Sequence, residues 1–320
     1  MLKQMINNAI RVIVLLISIS ILSFFLVSVS PIDPIDKYVM GNGNVTQQQR
    51  ENLAEHWGTN KSFPQRYWLW VKSLIKGDLG DSLVYRQPVL KIITERFSNT
   101  FLLMLVAWIF SGIIGFILGC IMGFFNGKPI DFAINKLSLV INSLPAFWVG
   151  MIFLIIFAVK LKWFPVGFSA PIGLMNDEIT FSDKMYHLIL PAITLSFTSF
   201  ANIALHTRGK LIEVLRSDYV LFAKSRGKSD WHIFKQHGLK NIILPAVTLQ
   251  FASISEIFSG SILAENVFSY PGLGTAATQA GLNSDIPLLL GITLVSAMLI
   301  FLGGILSNAL VWLIDPRTRK

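Results

Sequence analysis

Glu256 is the residue whose chemistry is hardest to place in bulk lipid. It interrupts an apolar run, Ile242 to Ala264, and Ser253, Ser255, Ser259 and Ser261 flank it. A carboxylate at bilayer depth costs about 2.5–3.5 kcal/mol on insertion scales, so it turns to a bundle interior or a wet pathway. Two readings are open. The acid is hydrogen-bonded to a neighbouring span, or it lines a pathway and attracts a cationic or amino-bearing substrate. Nothing else in the chain pairs with it as a catalytic partner would. His56, His187, His206, His232 and His237 are scattered without metal-ligand spacing on one helix, so no metal is expected in this chain. Gly227-Lys-Ser229 lacks the upstream glycine of a phosphate-binding loop, and neither a His-Glu-x-x-His nor a Gly-x-Ser-x-Gly motif occurs. No catalytic residue and no cofactor are expected in this chain.

The elements that must hold Glu256 follow from composition. Hydrophobic residues make up 53% of the 320 and charged residues 14%, against about 25% charged in soluble domains. The apolar residues cluster in six runs: Val12 to Val29, Phe101 to Phe125, Leu137 to Val159, Leu188 to Leu205, Ile242 to Ala264 and Ile286 to Ile314. Each reaches or approaches the roughly 20 residues that cross about 30 Å of hydrocarbon as a helix. Helices satisfy their own backbone hydrogen bonds, which lipid demands. An all-α, multi-pass membrane protein is expected. The single Cys120 lies in an apolar run and reads as a packing residue. Lys3 and Arg11 before the first run resemble a signal sequence, but no small-x-small cleavage site follows, so the run reads as a retained span.

With the N-terminus inside, the inside segments sum to +10, the outside segments to zero, and the intramembrane Glu256 brings the total to +9. The basic balance is therefore a topology signal that places both termini in the cytoplasm, and nucleic-acid binding is not expected. Three regions are expected: residues 1–30 with the first span, an external loop at 31–96, and a five-span core at 97–320. The external loop carries a polar stretch (Asn42, Asn44, Gln47 to Gln49) and then Trp57, Tyr67, Trp68 and Trp70. Gln65 to Lys76 reads as an amphipathic helix stopped by Gly77, either interfacial or a cap that contacts a docking protein or lines the pathway mouth. Gly115, Gly119, Gly123 and Gly127 recur every four residues, with Gly112 nearby, and so predict a close helix–helix contact. Pro145 and Pro191 predict kinks in spans three and four.

The connection at 207–245 is the other informative region. It runs Arg216-Ser-Asp-Tyr-Val-Leu-Phe-Ala-Lys-Ser-Arg-Gly227 and then Lys228-Ser-Asp-Trp-His-Ile-Phe-Lys-Gln-His237. The pattern predicts two short helices around a glycine turn, the second presenting Trp231, Ile233 and Phe234. Such a helix fits a partner's groove or the lipid surface.

These residues resemble the coupling loop of ABC importer permeases. Asp218, Tyr219, Val220, Ala223, Gly227, His237, Asn241 and Pro245 are similar to the version in dipeptide, oligopeptide and nickel permeases. Further matches are Ser30-Pro-Ile-Asp-Pro34, Gly77-Asp-Leu-Gly-Asp-Ser82 before Pro88, and Pro145-Ala-Phe147. Glu265-Asn-Val-Phe-Ser-Tyr-Pro-Gly-Leu-Gly274, with Glu265, Pro271, Gly272 and Gly274, follows span five; Asp285-Ile-Pro287 and Asp315-Pro-Arg317 bracket span six. The resemblance covers nearly the whole chain.

It implies a six-span permease with cytoplasmic coupling helices in a bacterial inner membrane. It implies four further partners: a second homologous permease, two ATPase subunits that hold ATP and Mg, and an external substrate-binding protein. Asp218, Tyr219, Ala223, Gly227, Trp231, Phe234, His237 and Pro245 would form the ATPase-coupling site. Leu221 and Phe222 stand where the family often has small or basic residues, and Glu256 where it is commonly apolar. Peptides are the expected substrate; nickel or a metal chelate is the alternative. A secondary transporter would show an internal repeat, and an embedded enzyme would need paired groups at one depth.

Overall fold

The computed structural model describes residues 2–29, 48, 61–173 and 178–314. Trp57, His56, the Ser30–Pro34 motif, the polar stretch before Trp57 apart from Gln48, and the Asp315–Arg317 motif lie outside them. Among the described residues regular structure is helical, with one isolated bridge between Asp81 and Pro88.

Twelve helical elements follow in order. α1 is Leu2–Val29, α2 Phe63–Ile75, α3 Val89–Phe124 and α4 Pro129–Asn142. α5 is Ala146–Phe153, continued by a π-helix over Leu154–Lys160, and α6 is Phe181–Leu215. α7 is Asp218–Ser225, α8 is Asp230–Ile233 with a π turn over Phe234–Gly238, and α9 is Leu239–Ala252. α10 is Ile254–Val267, α11 Leu273–Leu282 and α12 Ile286–Ile314.

α3, α6 and α12 are long and apolar enough to cross a membrane alone. Two bent pairs pass the same test together, α4 with α5 and the run Asp230–Ala252 with α10; Ile10–Leu26 is a shorter apolar stretch. Two spans thus depart from expectation: the third, where a proline kink is expected, and the fifth, for which no bend is expected. The third turns by 105° at Ser143–Pro145. Pro145 is not a kink within a helix there but the residue that begins a new one, because proline lacks the N–H a continuing helix needs. The fifth bends by 46° at Ser253. Pro191, in contrast, lies inside an unbroken α6.

The chain divides into two compact units. In the first, Met1–Thr100 with Pro271–Phe301, α2 lies on α1 through aromatic contacts. Phe24 meets Phe63 and Tyr67 edge-on, each at 5.5 Å, and Ser20 Oγ is 2.7 Å from the Tyr67 hydroxyl. α2 ends at Ile75, with Lys76 as its C-cap before a left-handed Gly77, the stop its sequence predicts. The core of this unit joins Val89, Ile92 and Ile93 to Leu273, Ala276, Ala280, Leu288 and Ile292.

The second unit, Phe101–Tyr270 with Leu302–Lys320, is built around α6. The α3 glycines let it approach. A Cβ on Gly119 would sit 2.5 Å from Thr207 Cβ and 2.7 Å from the Ala204 carbonyl oxygen. Gly115 and Gly123 meet Ile203 and Leu211 in the same way. Gly127 does not belong to this stripe: it lies past the helix end, with φ +79° and open space around it. Below the stripe, the buried Asp131 carboxylate takes Arg208 Nε at 2.6 Å, Arg208 Nη2 at 2.9 Å and the Gly127 N–H at 2.9 Å. Asp131 precedes the apolar part of its span.

Candidate functional site

The expected coupling residues lie on two consecutive helices and the turn between them. α6 runs on to Leu215, so the connection proper is shorter than 207–245. α7 follows after Ser217. Its Val220 and Ala223 pack with Ile233 of α8 into a small core. Gly227 makes the reversal at φ +78°. An L-residue pays about 1–2 kcal/mol there, and nothing lies within 4 Å of a Cβ placed on Gly227. The requirement is conformational, not steric. Lys224 Nζ closes the turn on Asp230 at 2.9 Å, and Ser229 caps α8 by accepting the His232 N–H.

The second helix is not a free-standing stretch. Asp230–Ala252 is one helical run through the π turn, with Pro245 about two turns beyond His237 inside α9. The π turn brings Gly238 against Phe234 and Leu211. Of the three side chains expected to be presented, only Trp231 is, at 55% exposure. Ile233 (0%) and Phe234 (7%) are buried. The amphipathic period is right, but this helix turns those two side chains into the bundle. Phe234 sits 5.2 Å from the Phe124 ring, and Trp231 stacks on Phe234 at 5.4 Å.

What the loop does present is Tyr219, Leu221, Phe222 (64% exposed) and Trp231. Bases lie over two of these rings: Arg226 over Phe222 at 5.8 Å and Lys235 over Trp231 at 5.0 Å. Tyr219 meets the His237 ring at 5.7 Å, and Asn241 Nδ2 donates to the His237 carbonyl at 2.7 Å. Asp218 is exposed in the first turn of α7. Ala223 and Phe234 therefore support the surface from beneath, while Tyr219, Trp231 and the turn at Gly227 form it. A firm base under exposed aromatics ringed by cations suits protein docking.

The other sequence motifs fall elsewhere. Glu265 is buried in α10, and its carbonyl accepts the Tyr270 N–H at 2.8 Å. In the first unit the Pro271 carbonyl accepts from Asn99 Nδ2 at 2.8 Å, and Thr100 Oγ1 accepts the Leu273 N–H at 2.8 Å. Gly272 caps α11 and Gly274 is buried in its first turn. Asp285 is buried and joins two motifs 203 residues apart: it accepts the Ser82 hydroxyl hydrogen and the Val84 N–H. It also caps α12 by accepting the Leu288 N–H at 3.2 Å.

Two residues with no part in the sequence reading clasp α3 to α9. Trp108 Nε1 donates to the Gln250 carbonyl at 2.7 Å, and Gln250 Nε2 donates back to the Trp108 carbonyl. The signal that could have found them is Gln250, a polar side chain inside an apolar run. They border a cavity of about 340 Å³ lined mainly by apolar side chains. Glu256 is exposed in the first turn of α10. A hydrogen bond to a neighbouring span, one of the two readings, is not present among the described residues. They also contain no group of three or more metal-ligating side chains.

Comparison with known proteins places this geometry. Residues 115–320 match the family described as "binding-protein-dependent transport system inner membrane component", and residues 1–104 match the N-terminal component of such systems. The chain is 32% identical over 318 residues to the oligopeptide transport system permease protein AppB of Bacillus subtilis, covering 99% of each. It is 33% identical to the di/tripeptide permease protein DppB of Pseudomonas aeruginosa, covering 94% of each. It is 30% identical to the dipeptide permease protein DppB of Escherichia coli K12, covering 95% of this chain and 94% of that one. An inward-facing MetNI methionine ABC transporter chain shares the fold, with TM-score 0.54 and 14% identity over 71% of this chain and 97% of that one. The chain belongs to the binding-protein-dependent transport system inner-membrane components, the multi-pass permease subunits of ABC importers.

Proposed function

We propose that this chain forms half of the translocation pathway of an ATP-driven peptide importer. The carrying observation is the end-to-end likeness to permeases named for oligopeptides, dipeptides and tripeptides. A second homologous permease supplies the other half. Two ATPase subunits bind ATP and Mg and do the hydrolysis. An external binding protein delivers the substrate.

The surface around Tyr219, Phe222, Gly227 and Trp231 is the ATPase dock. Asp218 and His237 edge it, and Ala223, Phe234 and Pro245 hold its helices. Its exposed rings and bases support that reading. A stiff two-helix unit there carries ATPase motion to the bundle, so the pathway opens to each side in turn. The charge distribution supports both termini facing the cytoplasm.

The test is accumulation of a labelled tripeptide, and of nickel, in cells lacking the gene and in complemented cells. Loss of peptide uptake in the deletion, with nickel unchanged, is expected. Loss of nickel accumulation that excess peptide does not alter would overturn the peptide reading in favour of a metal importer.

A further inference from the structure

Glu256 has a setting that its position in the sequence does not reveal. It lies three residues past the bend at Ser253, and among the described residues it has no hydrogen bond or ion pair. Exposed positions on this stretch are Ala252, Glu256, Ser259, Leu263 and Asn266. Steps of four, three, four and three put them on one helix face. The other side, with Ser253, Ile257, Phe258, Ser261 and Ala264, is buried.

This exposed face differs in kind from that of α3, which offers Phe101, Leu105, Ile109, Ile113 and Ile117. Lipid can cover the α3 face. It does not cover a carboxylate with serine and asparagine on the same stripe, because the charge costs about 2.5–3.5 kcal/mol at bilayer depth. The face is therefore turned to water, to a cation or to a neighbouring subunit. The bend marks the same segment, since spans interrupted at membrane depth are found at transport sites. Glu256 lies in the first turn of α10, where the facing ends of the two half-helices offset one another, so its attraction for positive charge is that of its own carboxylate.

We propose that Glu256 is a specificity residue of the pathway, pairing with a primary ammonium group of the peptide in transit; this rests on the peptide-import reading. The α-ammonium of a short peptide and a lysine side chain offer the same chemistry. The carboxylate accepts their hydrogens as a charge-assisted pair.

The experiment uses the complete importer in vesicles, with wild type, Glu256→Gln and Glu256→Asp. The probes are trialanine, N-acetyl-trialanine and trilysine, each at saturating concentration. The readout is maximal uptake of each variant divided by that of wild type for the same probe, so the binding protein's own preferences cancel. Glu256→Gln is expected to lose about tenfold for trialanine and trilysine, the scale of one charge-assisted hydrogen bond, and little for N-acetyl-trialanine. Glu256→Asp should lose less and keep that order. Loss for trilysine alone assigns the lysine side chain as the partner; equal loss for trialanine and trilysine assigns the α-ammonium. Equal ratios for all three probes would overturn the proposal while leaving peptide import standing. So would Glu256→Gln failing to co-purify with the second permease, since Glu256 would then be an interface residue. No uptake of any probe by wild type would instead overturn the peptide-import reading itself.

Discussion

Single residues in this chain act through two separable physical effects. Gly227 is needed for its backbone angle, φ +78°, in open space. Gly227→Val should therefore impair ATPase docking by distorting the turn, whereas Gly227→Asn, which tolerates the left-handed region, should be milder. Co-purification of the ATPase subunits with each variant measures this; equal recovery of both would show that the turn does not shape the dock. Asp131 is needed for its charge. Removing it leaves Arg208 without its partner, and Arg208 keeps a quarter of its side-chain surface exposed. Asp131→Asn should then cost about 2 kcal/mol, below the 3–5 of a fully buried pair, seen as a lower unfolding temperature in detergent.

At the scale of elements, α3 and α6 approach more closely than any side chain at Gly119 allows. Gly119→Ala should force the helices apart and cost about 1–3 kcal/mol, whereas Gly209→Ala, in a helix with nothing within 4 Å of the added carbon, should be neutral or stabilising by up to about 1 kcal/mol. Thermal unfolding of the two variants provides the comparison. The Trp108–Gln250 clasp ties α9 to α3 one turn before the bend at Ser253. Trp108→Phe keeps the ring contact with Phe251 at 4.9 Å and removes the indole donor, so it should cost about 1–2 kcal/mol. The glycine spacing was legible in the sequence because helix period alone puts i, i+4 and i+8 on one face. The clasp was not, since Trp108 and Gln250 are 142 residues apart and no local pattern ties them together.

For the whole molecule, topology is the testable consequence of charge. In a Cys120→Ser background, an impermeant maleimide should label Lys61→Cys in intact cells and Lys228→Cys only after permeabilisation. The reverse pattern would refute cytoplasmic placement of the basic loop. Lys61 and Lys228 are both exposed in this chain, and labelling is done in cells lacking the ATPase subunits so that the proposed dock does not shield Lys228.

The sequence by itself determined class and family: apolar runs of membrane length, the basic connection, the glycine stripe and ordered motifs are local or periodic properties that survive without coordinates. It also placed α2 and the turn at Gly227, where one residue type fits one backbone angle. Tertiary structure alone decided which large side chains of the basic connection are free. Ile233 and Phe234 turn inward while Leu221 and Phe222 face out, because the neighbours α3 and α6 choose which side of an amphipathic helix is covered. It decided likewise that Ser82 and Asp285 share a hydrogen bond, and that Glu256 lies on an exposed polar stripe beside a bend. Those facts depend on contacts between distant segments, and hydropathy, which averages over neighbours in the chain, carries no record of them.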